Sequence, residues 1–215
     1  MTLRSRFTAI TAAVILALGS GAVAARLETP VADAAMQQDL AAVRALLAKG
    51  ADVTQAQGDG MTALHWADER GNVELTSLLI GAGAPVSAET RLGKHTPLHI
   101  AARGGHGAIV QQLLAAGANA RVLTTTGAAP LHFAAASGDE VSVRALLDAG
   151  AEVDVKEPSW GQTPLMFAAS SGRTAVVKLL VARGASTSAT AKVVDLEERN
   201  RTDSADSRAP PCRSR

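Results

Sequence analysis

The sequence predicts an all-α solenoid of about five helix–turn–helix units with protruding loops. One four-residue phrase recurs through the chain, reading Thr-Ala-Leu-His at 62–65, Thr-Pro-Leu-His at 96–99, Ala-Pro-Leu-His at 129–132 and Thr-Pro-Leu-Met at 163–166. These copies are almost evenly spaced, and a degenerate copy, Thr-Pro-Val-Ala at 29–32, keeps the same interval. The dipeptide Gly-Ala recurs at the same interval, beginning at residues 50, 83, 117, 150 and 184. Two phrases that share a period of about 33 residues indicate a stacked repeat.

The segment before the first repeat has the pattern of a secretory signal peptide. Arg4 and Arg6 give it a basic start, residues 7–18 form an apolar run, and residues 22–24 read Ala-Val-Ala, which is an A-x-A cleavage site. The apolar run is too short to span a bilayer comfortably. We therefore expect residues 1–24 to be removed on export and the mature chain to be periplasmic or secreted. An uncleaved anchoring helix is the alternative.

The charge of the chain is nearly balanced. It has 215 residues with 21 basic and 20 acidic side chains, and loss of residues 1–24 removes two basic residues, which leaves 19 basic against 20 acidic. Nucleic-acid-binding proteins carry a basic surface that this composition does not offer. We therefore do not expect a nucleic acid as partner. Because no second long apolar segment follows the first, we do not expect a membrane as partner either, once the signal peptide is cleaved. The single cysteine, Cys212, cannot form an internal disulfide.

Each unit is predicted to contain a short first helix, a tight turn and a second helix. Where the phrase begins Thr-Pro, the Thr side chain can cap the first helix and Pro suits its first position. A glycine follows at 71, 105, 138 and 172, where it can end that helix. The second helix carries apolar residues at i, i+3 and i+4 spacing, as Ile109 and Leu113 illustrate. One helix pair cannot bury such a stripe alone, so neighbouring units must stack.

The phrases set the boundaries of the repeat domain, which spans residues 29–187. The first unit has Gln38 where later units have the turn glycine and lacks the His of the phrase, so it is predicted to be a modified N-terminal cap. The units are expected at 29–61, 62–95, 96–128, 129–162 and 163–187.

The pattern ends near Ser188, and residues 188–215 are predicted to be a flexible, disordered tail rich in Arg, Ser and Asp. No polar terminal repeat follows Gly184. The outer face of the last unit is therefore expected either to be loosely covered by Val193, Val194 and Leu196 or to contact another chain. An alternative role is therefore that of a structural fragment or a repeat array that self-associates through this end.

The two phrases make the chain resemble the ankyrin repeat family, in particular its exported bacterial members. The resemblance covers residues 29–187 and implies a scaffold that binds a protein partner through loop tips and the concave face of the first helices. It implies no cofactor, no metal and no catalytic residue, and it leaves the partner unidentified. The candidate partner-binding residues are Glu69, Arg70, His95, Arg103, Ser137, Trp160, Gln162, Ser170 and Ser171.

Several side chains allow more than one interpretation. Trp160, in a lengthened loop, can anchor an interface or fold back onto the adjacent repeat. The cluster at residues 68–70 fits a solvated helix end or part of a recognition surface. Trp66 and two phenylalanines recur at one helical position and are predicted to lie in the core. His65 and its equivalents recur at a position that, in the related family, orders the loop.

Enzymatic chemistry has little support in the sequence. His95 and His99 are four positions apart, but His95 precedes the helix and no third ligand accompanies the pair, so a metal site is not expected. No nucleophile elbow, zincin motif or phosphate-binding loop occurs. An enzyme whose site is dispersed across repeats is the least favoured of the three interpretations.

Overall fold

The computed structural model describes residues 29–192; the predicted signal peptide and the tail from Val193 onward lie outside this range. Within it the chain is all-α, and its one β-type pairing is an isolated bridge between Ala56 and Thr62. The helices are α1 (Pro30–Met36), α2 (Leu40–Ala48), α3 (Ala63–Glu69), α4 (Val73–Gly81), α5 (Pro97–Gly104), α6 (Gly107–Ala115), α7 (Pro130–Ser137), α8 (Glu140–Asp148), α9 (Pro164–Ser170) and α10 (Thr174–Ala182).

Consecutive helices pack as five pairs, and the pairs stack into two layers. The odd-numbered helices α1 to α9 form one continuous row, and α4, α6, α8 and α10 pack side by side in a second. The core lies between the rows, and it confirms the predicted apolar stripes because Ile109 and Leu113 are both fully buried. Its other large, fully buried aliphatic side chains are Leu64, Leu75, Leu79, Leu98, Leu131, Leu146 and Leu180.

The first helices of the second, third and fourth units, α3, α5 and α7, begin with a histidine cap. The backbone N–H of Thr62 donates to Nδ1 of His65 at 3.1 Å, and the Nε2 atom of that ring lies 3.1 Å from the carbonyl oxygen of His95 in the next loop. The imidazole therefore replaces the Glu or Gln of a capping box and also ties one unit to the next. His132 repeats both contacts, with Ala129 and Gln162. This agrees with the loop-ordering role that the resemblance implies.

The first unit turns without glycine. Gln38 takes a positive φ of 60°, a region that favours glycine, at the position where the later units have one. Its side-chain amide donates to the carbonyl of Ala35 at 2.8 Å and accepts from Nδ2 of Asn72 at 2.9 Å. These contacts stabilise the strained turn and attach the first unit to the second.

Asp68 departs from the expectation that it shares a solvated helix end with its two charged neighbours. It is 0% exposed and accepts a hydrogen bond from the Thr76 hydroxyl at 2.7 Å, whereas Glu69 and Arg70 are exposed. The cause is helical geometry: position 68 is the one occupied by the second alanine in other units, and it faces α4. Burial raises the pKa of Asp68 well above its usual value.

Four loops, at 49–62, 82–96, 116–129 and 149–163, connect the units and stack on one another. The N–H of Arg91 donates to the carbonyl of Asp59 at 2.8 Å, and the N–H of Thr125 donates to Gly93 at 3.0 Å. Both bonds join one loop to the next and have the same separation along the chain. In the fourth loop the equivalent position is Pro158, which has no N–H to donate.

The chain after α10 continues this row of loops. The N–H of Lys192 donates to the carbonyl of Trp160 at 2.6 Å, again at the separation of the earlier bonds, and its ammonium group contacts the carbonyl of Pro158. Residues 188–192, the start of the predicted tail, therefore occupy the place of a further loop.

The apolar stripe of the fifth unit is largely buried. Val176 and Leu180, members of its predicted stripe, are fully buried, and Val181 is the large hydrophobic residue of α10 that remains exposed. Val193, Val194 and Leu196, which were expected to cover this face, lie outside the described residues.

Candidate functional site

A groove of about 290 Å³ lies between the first two loops, over the helices α3 and α5. Its apolar surface comes from Trp66 on α3, from Ile100 on α5 and from Leu92, which protrudes from the second loop with 82% of its surface exposed. The complete lining is Asp59, Met61, Trp66, Glu69, Thr90, Leu92, His95, Ile100 and Arg103. The groove thus combines an apolar interior with charged side chains, as recognition sites commonly do.

The charges in the groove are unevenly paired. The guanidinium of Arg103 lies 3.8 Å from a carboxylate oxygen of Glu69, and both side chains are about half exposed. Asp59 accepts a hydrogen bond from the N–H of Met61 at 2.9 Å, but no described Lys, Arg or His lies within 4.0 Å of its carboxylate. The lining therefore contains two carboxylates and one guanidinium.

His95 contributes an aromatic surface. Burial lowers its pKa, and the nearby Arg103 cation lowers it further, so the ring is neutral at pH 7. The rings of His95, His99 and Phe133 meet edge to face, with centroids 5.8 to 5.9 Å apart. This cluster extends the apolar surface of the groove towards the fourth unit.

The loops that form the groove are held close together at Gly60. A Cβ atom placed on this glycine would lie 2.6 Å from the backbone nitrogen of Arg91, and the glycine has a φ of 88°. Trp66 is fixed as well, because its indole N–H donates to Oε1 of Gln57 at 2.8 Å, and Gln57 donates in turn to Asp33. The groove is therefore largely preformed.

The fourth loop presents Trp160 with half of its surface exposed. Glu157, only 6% exposed, accepts the backbone N–H groups of Ser159 at 2.7 Å, Trp160 at 2.8 Å and Gln162 at 3.0 Å. Burial acts to raise the pKa of Glu157, but these N–H donors outweigh it and hold the pKa below its usual value. The carboxylate thereby fixes the loop with the indole facing solvent.

The structure brings three of the candidate residues together and leaves the others apart. Glu69, His95 and Arg103 line the groove, whereas Arg70 is exposed at the end of α3 without lining it. The remaining candidates lie further along the solenoid: Ser137 at the end of α7, Trp160 and Gln162 in the fourth loop, and Ser170 and Ser171 at the exposed end of α9.

Sequence reasoning missed four contributors. Asp59 and Leu92 are single loop residues with no counterpart in the repeated phrases. Trp66 was expected in the core; it packs against the core but is half-buried and lines the groove, and Phe133 and Phe167 are half-buried too. Glu157 was overlooked because its function depends on three N–H groups that only the folded loop brings together.

Two observations bear on other functions. In the range 29–192, no group of three or more His, Cys, Asp or Glu side chains is placed to hold a metal ion. None of the helices of the described chain has the length and apolar character needed to cross a membrane.

A family model of three ankyrin repeats matches residues 31–122 and, in an overlapping second match, residues 98–191. The chain belongs to the ankyrin repeat family. Ankyrin repeats are generally protein-interaction modules without catalytic activity, which agrees with the predicted class of function.

Several curated proteins contain similar segments. The chain is 37% identical over 90 residues to the palmitoyltransferase Hip14 of Drosophila melanogaster, and 45% identical over 85 residues to the nuclear factor NF-kappa-B p105 subunit of Gallus gallus. A third relative is the potassium channel AKT3 of Oryza sativa, 43% identical over 79 residues. These matches cover 42%, 39% and 36% of this chain but only 14%, 8% and 9% of the relatives. The likeness is confined to ankyrin repeats shared by proteins of unrelated names.

Proposed function

We propose that this ankyrin repeat chain is a scaffold that binds a protein partner across the groove and the adjoining row of loops, outside the cytoplasm. The observation that carries the proposal is the preformed groove, in which Glu69, His95 and Arg103, three candidates chosen from sequence, meet beside exposed Leu92. An exposed apolar side chain surrounded by charged groups has the composition of a protein interface, in which an apolar centre is framed by a polar rim.

The preformed geometry supports binding rather than a structural role for these side chains. Loops held together by backbone hydrogen bonds lose little conformational freedom when a partner docks, so more of the interaction energy appears as affinity. Trp160, held outward by Glu157, supplies a second contact point of the kind that dominates interface energetics.

The test compares two ion pairs on opposite layers. The chain lacking residues 1–24 is immobilised, and proteins retained from a periplasmic extract of the source cells are identified by mass spectrometry. A Glu69→Ala/Arg103→Ala variant removes the pair at the groove, and an Arg44→Ala/Glu74→Ala variant removes a matched exposed pair between α2 and α4. We expect the groove variant alone to lose a specific protein. Equal retention by both variants would place recognition elsewhere or refute it.

Export is the part of the proposal that rests on residues 1–24 alone. Its support is the order of a basic start, an apolar run and an Ala-Val-Ala site. Mass spectrometry of the protein recovered from the periplasm or the medium should find an N-terminus near Ala25. A protein that retains Met1, or one recovered only from the cytoplasm, would contradict export.

The two rival functions have less support. Self-association through the last unit needs a large apolar face, and Val181 is the one large hydrophobic residue of α10 that is exposed. A dispersed enzyme site needs polar groups that converge in a pocket with strongly shifted pKa values. Asp68 and the capping histidines have such shifts, but each is buried in the structural core and none opens into the groove. We therefore favour binding.

A further inference from the structure

We propose that the groove accepts an extended, basic peptide segment of the partner, with an apolar side chain inserted against Trp66 and Leu92 and a neighbouring Lys or Arg held by Asp59 and Glu69. This inference rests on the proposed binding function and specifies the chemistry of the partner at that site. Three features of the groove lead to it: its size, its balance of charge and the fixed orientation of its tryptophan.

The size of the groove limits what can enter it. At about 290 Å³ it falls just below the range of cavities that enclose a drug-sized molecule. It has room for one or two side chains of a chain that passes over it. Because the walls are loops rather than a closed pocket, the backbone of an extended segment can run along the solvent side while a side chain points inward.

The balance of charge selects a basic segment. Asp59 has no cation within 4.0 Å among the described residues, and Glu69 shares Arg103 only at 3.8 Å. His95 adds an aromatic ring without charge at neutral pH. The lining thus carries one net negative charge, and the Asp59 carboxylate, which accepts the N–H of Met61, has no cation partner among the described residues. Two cations of the second loop, Arg91 and Lys94, lie outside the lining, and Lys94 faces Glu89 at 3.6 Å.

The tryptophan favours the same partner. Its indole N–H is bonded to Gln57, which leaves the half-buried ring, but not its polar atom, for the partner. An aliphatic side chain can pack on this ring, and a Lys or Arg beside it gains attraction from the ring face as well as from the carboxylates. An acidic segment would instead meet Asp59 and Glu69 with like charge.

The experiment selects ligands without assuming their sequence. A phage-displayed library of random dodecapeptides is panned on the full chain, and enriched peptides are synthesised with a fluorescent label for polarisation measurements. We expect them to share an apolar residue within two positions of Lys or Arg. The Asp59→Asn/Glu69→Gln variant should bind them at least tenfold more weakly, and added salt should weaken binding to the wild type.

A matched variant controls for overall charge. Glu74→Gln/Asp148→Asn makes the same change of two charges on the outer helices and should alter affinity less than twofold. Leu92→Ser, at a residue too exposed to affect folding, tests the apolar contact separately and should also weaken binding. Circular dichroism and the melting temperature verify that each variant is folded.

Three results would overturn the inference: enriched peptides that are acidic or lack an apolar residue, an unchanged affinity in the groove variant, or no enrichment over a blank support. The capture experiment above reports on the proposed function independently. A partner that depends on Glu69 and Arg103 but contacts them through an acidic segment would leave the binding function intact and refute only the basic ligand.

Discussion

Replacing the buried carboxyl of Asp68 by an amide should make the protein more stable at neutral pH. Asp68→Asn keeps the shape of the side chain and an oxygen that can accept from the Thr76 hydroxyl, but it removes the ionisable group. In the wild type the second carboxylate oxygen is buried and has no hydrogen-bond partner among the described residues. Ionisation of this group in the folded state is therefore costly.

The sign of the pH dependence follows from linkage. The pKa of Asp68 is raised in the folded state, so its contribution is most favourable below the unfolded pKa, near 3.8, and is lost as pH rises towards the folded pKa. The loss amounts to about 1.4 kcal/mol for each pH unit in that window. We expect wild type and Asp68→Asn to have similar free energies of unfolding near pH 4. At pH 7 the free energy of unfolding of the variant should be higher by more than about 1 kcal/mol.

Urea denaturation followed by circular dichroism between pH 4 and pH 8 measures this difference. All other ionisable groups are common to both proteins, so their effect cancels when one free energy of unfolding is subtracted from the other. Asp52→Asn is the control of opposite sign, because hydrogen bonds from Thr54 lower the pKa of that exposed carboxyl. A difference between wild type and Asp68→Asn that stays constant across the range would show that Asp68 ionises normally.

Three further variants test other parts of the fold. Leu113→Ala should cost about 2–5 kcal/mol in the free energy of unfolding through a central cavity, and a loss below about 1 kcal/mol would show that it is not a core residue. The pKa of His65 is lowered to about 4, chiefly by burial, so its stabilisation should be complete above its unfolded pKa near 6.5 and decline as pH falls towards 4. His65→Gln should therefore flatten the acid side of the stability profile, and parallel profiles would contradict this. Glu157→Ala should release the fourth loop, seen as faster proteolysis beside Trp160 with unchanged helical circular dichroism; an unchanged cleavage rate would mean that other contacts hold the loop.

The repeated part of the structure was predictable because each repeated position has one environment. Leu64, Leu98 and Leu131 share a place in the phrase and are all fully buried. A comparison of the five approximate copies therefore identifies structural positions that one copy alone would leave ambiguous. The capping histidines follow the same logic. Positions that recur in every unit have the same structure in each unit, and the sequence predicts that shared structure well.

The candidate site depends on residues that differ from that average. Asp68 is buried because it replaces an alanine, and its environment is set by Thr76 on the adjacent helix α4. The groove forms where Asp59 of one loop meets Arg91 of the next, and that approach depends on how the units stack in space. A periodic pattern does not contain this information, so Glu69, His95 and Arg103 could be proposed singly but not as one groove.

The missing N–H of Pro158 divides the row of loops into two panels. On one side, the first three loops are bonded in series and share the rigidity of the groove. On the other, the backbone of the fourth loop is bonded forward, to Lys192, and its link back to the third loop runs through the side chain of Arg121, which donates to the carbonyl of Gly150 at 2.6 Å. A long side chain restrains two loops less than a backbone hydrogen bond does, so the tips can shift slightly against each other at this seam while the helices stay in place. A partner that spans both panels can adjust the separation of Trp160 from the groove without unfolding a single turn.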